Sequence, residues 1–183
     1  MKEALRRVNG IRNKAVFTLR PTSQRGKFSG SVEERIYWLK ELSICQPMLL
    51  DVELDTLINH DELVDFIADH RTRILVSWHD FLRTPTNDSL VDLLGQMRIY
   101  GNFVKVVTTA EEIHDCIRLL DLYKFVTNLD LISFAMGELG VLSRVLCTVY
   151  GNAPFTYASL EEPVVPGQLT VQEMRKLYDG MHL

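Results

Sequence analysis

Two residues in this chain have the right type and setting for covalent chemistry. Lys105 lies in the middle of F-V-K-V-V, an apolar run with strand character. Desolvation favours the neutral amine of a lysine, and a neutral amine attacks carbonyl carbon. The same lysine could equally sit on an edge strand and extend its ammonium to water. His79 closes I-L-V-S-W-H and opens H-D-F-L-R-T-P. An imidazole exchanges protons near neutral pH, although a strand-end histidine can also simply bond to its own loop. Side chains alternate faces along a strand, so Val16, Thr18 and Arg20 share one side. So do Leu49, Asp51 and Glu53, then Leu75, Ser77 and His79, then Phe103, Lys105 and Val107. Four successive strands thus carry polar or ionisable groups toward their C-terminal ends. Buried ionisable groups are costly unless paired or useful, and the C-terminal ends of strands are where (β/α)₈ enzymes hold their sites.

The elements that must position these groups alternate. Strands are expected at about Ala15–Arg20, Met48–Leu54, Ile74–His79, Phe103–Val107, Leu131–Met136 and Phe155–Ser159. Helical periodicity falls between and after them: Val32–Leu42 (with Val32, Ile36, Leu39 and Leu42 near one face), Glu62–His70, Ser89–Met97, Glu111–Leu122, Leu142–Tyr150 and Val171–Tyr178. Thr109 with Glu112, and Thr170 with Glu173, have capping-box spacing. The alternation predicts parallel strands joined by crossover helices, in either a (β/α)₈ barrel or an open doubly wound sheet. No linker composition divides the 183 residues, so a single domain, 1–183, is expected.

Composition narrows the function classes. A net charge of −4 and the lack of a basic run argue against a nucleic-acid or anionic-membrane surface. No apolar stretch is long enough to span a bilayer, and the N-terminal MKEALRRVNG lacks an apolar signal core. Cys45, Cys116 and Cys147 show no metal-ligand spacing and read as reduced thiols in a cytoplasm. His60, His70, His114 and His182 read as surface residues.

Beyond these physical readings, the motifs resemble those of a known family, the type I 3-dehydroquinate dehydratases. S-W-H-D-F-L-R-T-P (Ser77–Pro85) is similar to the family's histidine signature, and F-V-K-V-V to its Schiff-base lysine strand. M-G-E-L-G-V-L-S-R (Met136–Arg144) resembles its substrate-binding arginine motif, and P-G-Q (Pro166–Gln168) its C-terminal binding loop. F-T-L-R (Phe17–Arg20) and D-V-E-L (Asp51–Leu54) complete the set, in family order from about Lys14 to the C-terminus.

The resemblance implies a (β/α)₈ TIM-barrel fold and conversion of 3-dehydroquinate to 3-dehydroshikimate in the shikimate pathway. Lys105 would form the imine and His79 would move protons. Arg144, Arg20 and Gln168 would bind substrate, with Asp51 and Glu53 orienting His79 or balancing cations. It implies neither metal nor organic cofactor, and a homodimer.

Three departures accompany it. The first two βα units, the second bearing an E-x-R motif, are not found, so six strands are expected against eight. Gln24 stands where the family often has a glutamate, and Val164 where it has a serine. The incomplete barrel is compatible with a longer native chain or with a dimer or partner filling the gap. It is also compatible with a noncatalytic relative that binds a small carboxylate or a protein.

Overall fold

A computed structural model describes residues 10–163 and 166–181. Val164 and His182, both considered above, lie outside the described residues. Five strands are found: β1 (Val16–Thr18), β2 (Leu49–Glu53), β3 (Ile74–His79), β4 (Phe103–Thr109) and β5 (Asp130–Met136). The helices are α1 (Val32–Ile44), α2 (Leu54–Asn59), α3 (Asp61–Asp69), α4 (Asn87–Met97), α5 (Ile113–Asp121), α6 (Val141–Val149) and α7 (Val171–Gly180). The strands join one sheet in chain order, β1-β2-β3-β4-β5. β1 pairs parallel with β2 in the register Val16 to Leu49, and β2 parallel with β3 in the register Leu50 to Ile74. A doubly wound sheet reverses its strand order at a switch point, and this order contains no reversal. It is the succession of a (β/α) barrel, with five of that fold's eight strands among the described residues.

Packing divides the chain into two compact units, Met1–Ser77 with Gln96–Val104, and Trp78–Gly95 with Lys105–Leu183. In the first unit, Ser31 caps α1 by accepting the Glu34 amide at 3.1 Å, and Glu33 and Glu34 face the positive end of the helix dipole. Ile36, Leu39 and Leu42 are buried as their spacing requires, but Val32, the first residue of α1, is exposed. All five residues of β2 are buried, including Asp51 and Glu53, which puts two carboxylates where only paired ones are tolerable.

In the second unit, α7 begins as expected. Thr170 accepts the Glu173 amide at 3.2 Å while Glu173 accepts the Thr170 amide at 2.8 Å. The other expected capping box shifts by three residues. Thr109 ends β4, and the box is formed by Glu112 and Asp115, with Asp115 accepting the amides of Glu111 and Glu112 at 2.8 and 3.2 Å.

The sixth expected strand, Phe155–Ser159, does not form. The rings of Phe155 and Tyr157 do meet, edge to face with centroids 5.7 Å apart. The segment is tied instead to α6: Thr156 Oγ1 donates to the Arg144 carbonyl at 2.9 Å, and the Tyr157 carbonyl accepts from Arg144 Nη1 at 3.4 Å. Only Ser159 makes a bridge, to Thr170.

Candidate active site

Lys105 sits at the third position of β4 and is only 6% exposed. Alternation turns it away from Val104 and Val106, both fully buried, so it does not lie in solvent as an edge lysine would. Its Nζ lies 5.1 Å from the centre of the Tyr157 ring. An aromatic face attracts a cation and gives an amine an apolar wall.

His79 ends β3, its ring stacked on Phe81 at 5.7 Å with 5° between the planes. The loop it opens is bonded firmly to β4. The Asp80 amide donates to the Val107 carbonyl at 3.0 Å, two residues beyond Lys105. Thr84 Oγ1 lies 2.6 Å from Thr108 Oγ1 and donates to the Thr109 carbonyl at 2.9 Å. Asp80 Oδ1 closes the turn by accepting the amides of Leu82 and Arg83 at 2.8 and 3.0 Å. Asp80 and Thr84 thus hold the turn that follows the histidine against β4.

Arg144 lies on α6 and is 2% exposed. Its guanidinium carbon is 4.2 Å from the centre of Phe134, and no carboxylate among the described residues pairs with it. Its Nε is buried with no hydrogen-bond partner. Burial pushes its pKa down to about 10, so it remains a cation at neutral pH. A buried, charged, unneutralised guanidinium is complementary to an incoming carboxylate, which its planar fork can grip at two points. Tyr157 links the two side chains: its ring faces Lys105 and its carbonyl receives Arg144.

Gln168 follows a turn pressed against the loop that starts α6. The Gly137 amide donates to the Pro166 carbonyl at 3.3 Å. Gly167 has φ +74°, and a Cβ there would lie 2.1 Å from the Gly137 carbonyl oxygen. Both constraints demand glycine. Gly167→Ala is therefore expected to destabilise the protein by about 2 kcal/mol or more. Gly95→Ala, in the α4 helix where a Cβ meets nothing within 4 Å, should instead stabilise by about 0.5–1 kcal/mol. Paired denaturant titrations of the two variants check the sign difference.

In the first unit Arg20 is held by a buried network. Its Nη2 donates to both oxygens of Asp51 at 2.9 Å, and its Nη1 to Glu53 at 2.8 Å and to Ser77 at 3.0 Å. Ser77 in turn donates to Asp51 at 2.6 Å. A second cation, Arg35 of α1, pairs with the other oxygen of Glu53 and donates to the Leu19 carbonyl at 2.8 Å and to Thr56 at 3.0 Å. These contacts set Asp51 and Glu53 against two guanidinium groups.

Sequence reasoning passed over Arg35 and Tyr157. Arg35, Leu39 and Leu42 fall on one helical face, so an arginine on the apolar stripe of α1 was a readable signal. Tyr157 had none, because its partner is set by the fold.

Comparison with known proteins agrees with this geometry. The model of the type I 3-dehydroquinase family matches residues 1–183. The chain is 40% identical over 170 residues to a 3-dehydroquinate dehydratase of Dehalococcoides mccartyi, covering 90% of this chain and 74% of that protein. It is 36% identical over 163 residues to one from Pyrococcus abyssi, covering 88% and 74%. Among solved structures it resembles the type I enzyme of Clostridium difficile, determined with covalent modified comenic acid. The TM-score is 0.87 at 26% identity, over 99% of this chain and 74% of that one. The 3-dehydroquinate dehydratase of Aquifex aeolicus matches with a TM-score of 0.81 at 28% identity, over 99% and 80%. The histidine turn, the buried strand lysine, the enclosed arginine and these matches lead to one conclusion: the chain belongs to the type I 3-dehydroquinase family.

Proposed function

We propose that this protein is a 3-dehydroquinate dehydratase of the shikimate pathway that works through an imine on Lys105. The carrying observation is the enclosure of Lys105 and Arg144 in one unit, both against Tyr157. In this reading Arg144 holds the substrate carboxylate and presents the ring ketone to Lys105. The amine adds to the carbonyl carbon and the ketone oxygen leaves as water. The resulting protonated imine draws electrons from the adjacent carbon, whose proton His79 removes. The electron pair passes into the imine nitrogen as an enamine and returns to expel the β-hydroxyl, which His79 protonates so that it departs as water. A second water hydrolyses the new imine, frees Lys105 and releases 3-dehydroshikimate. The water lost in forming the imine is regained at hydrolysis, so the net change is loss of one water from the substrate. Arg20 and Gln168 bind hydroxyl or carboxylate oxygens. The competing expectation of a noncatalytic carboxylate-binding relative has no observation in its favour.

Borohydride added during turnover tests the central step. Reduction of the imine should leave a stable adduct on the peptide containing Lys105, read by mass spectrometry. Turnover with no adduct on that peptide would overturn the lysine assignment.

Arg144 gives a second test. Its folded-state pKa lies below the ordinary arginine value, so below about pH 10 the fold holds a charge that water would solvate better. Arg144→Met removes that cost along with the anion site. We expect kcat/KM to fall about 10²-fold, as for a lost charged hydrogen-bond pair, while Tm stays at or above that of the parent protein. A fall in Tm with unchanged kcat/KM would contradict both parts.

The protein is further proposed to be a cytoplasmic homodimer that binds no nucleic acid. Supporting this are the net charge of −4, the free thiols of Cys45, Cys116 and Cys147, and the exposed Ile113, Ile117, Leu139 and Leu142 on and beside the mutually packed α5 and α6. Sedimentation should report twice the 21.0 kDa chain mass. No helix among the described residues is long and apolar enough to cross a membrane.

A further inference from the structure

We infer that Arg35 is a positioning residue that sets the conformation of Arg20 and thereby the affinity for substrate, an inference that rests on the proposed substrate-binding role of Arg20. Arg35 is 6% exposed and comes from a helix, α1, not from a strand end. Its three contacts all converge on what holds Arg20. Its Nε donates to the carbonyl of Leu19, the residue immediately before Arg20, at 2.8 Å. Its Nη2 pairs with Glu53 Oε2, while Glu53 Oε1 accepts from Arg20 at 2.8 Å. Its Nη1 donates to Thr56 Oγ1 at 3.0 Å, and Thr56 Oγ1 lies 3.3 Å from the same Glu53 oxygen. Arg35 therefore grips the Arg20 backbone at one end and, through Glu53, the Arg20 guanidinium at the other.

Charge gives this arrangement its purpose. Asp51 and Glu53 are both about 1% exposed, and each bonds Arg20. Without Arg35 the two carboxylates would hold Arg20 more tightly and this cluster would be one unit more negative, which repels an anionic substrate. Arg35 supplies the second positive charge, so the four side chains sum to zero. Arg20 is then oriented by both acids but owned fully by neither, and its side chain keeps 13% exposure. Fork geometry matters as well as charge, because a lysine cannot reach Leu19, Glu53 and Thr56 together.

The test uses Arg35→Lys and Arg35→Met, each alone and with Arg20→Ala, in the full chain. Arg35→Met should raise KM for 3-dehydroquinate about tenfold with kcat changed less than twofold, and Arg35→Lys should recover part of the loss. In the Arg20→Ala background either change should alter KM less than twofold. Should Arg35→Met fail to fold, Arg35→Lys, which keeps the charge beside Glu53, carries the same cycle with a KM rise of threefold or more. The ¹⁵Nε–¹H resonance of Arg20, assigned by its loss in Arg20→Ala, should shift or broaden in both Arg35 variants. An unmoved resonance, or an equal KM effect with and without Arg20, overturns the positioning role. If Arg20→Ala alone leaves KM unchanged, the substrate role of Arg20 fails, and the resonance still decides whether Arg35 positions it.

Discussion

Lys105→Ala is expected to lower kcat by at least about 10⁴-fold and to abolish the borohydride adduct entirely. The magnitude follows from what the lysine supplies. Without an imine, the carbon beside the ketone is only as acidic as in an ordinary ketone, and the β-hydroxyl must leave from a poorly stabilised enolate. No other group in the site replaces that electron sink, so the loss is not shared with a neighbour. Substrate affinity should change far less, because Arg144 and not Lys105 faces the carboxylate in the proposed pose. The variant should therefore still show a substrate-induced rise in Tm. The fold should tolerate the change, because β4 is held in the sheet by backbone pairing and alanine is readily accommodated at a buried strand position. Steady-state kinetics, a trapping experiment and a thermal shift on one preparation check all three statements. Retention of even a hundredth of the activity would be incompatible with an obligatory imine at this residue.

His79→Ala is expected to be the second largest effect, with kcat reduced about 10²–10⁴-fold, the usual range for a lost general acid–base group. The distinguishing outcome is qualitative. Lys105 is still present, so the imine should still form, although more slowly, and borohydride should still trap it. Two proton transfers, from carbon and to the departing hydroxyl, are what this variant lacks. Adduct on Lys105 therefore builds up while product does not. The supporting geometry is the turn beyond the histidine, where Asp80, Thr84 and Arg118 make bonds that do not involve the imidazole. Removing the ring should leave that turn and the stability of the protein nearly intact. If His79→Ala lost trapping as completely as Lys105→Ala, the histidine would be needed before the imine rather than after it, and the division of labour proposed here would be wrong.

The sequence by itself determined the alternation of strands and helices, the strand positions of Lys105 and His79, and the family, whereas Arg20, expected to end the first strand, lies beyond β1, which stops at Thr18. These are local matters: side-chain alternation, helical periodicity and short motifs all act over a few residues. It also settled α7, whose Thr170 and Glu173 cap within one turn. The misread elements failed where local signals were equivocal and distant partners decided. Phe155–Ser159 has strand alternation, yet Thr156 and Tyr157 bond to Arg144 of α6 and the Ser159 backbone pairs with Leu169 and Val171 instead of with a sheet strand. Thr109 and Glu112 have capping spacing, yet β4 takes Thr109 and the helix starts three residues on.

The tertiary structure alone decided which alternative each ionisable group took. Lys105 could have been an edge lysine until burial and the Tyr157 ring excluded solvent from it. Arg144, on a helix where an arginine is often solvated, is instead enclosed with no carboxylate partner among the described residues. Arg20 and Arg35 came to share the carboxylates of β2 only when the segment following β1, helix α1 and β2 met. Desolvation and pairing depend on distances between segments far apart in the chain, and no local pattern encodes those distances.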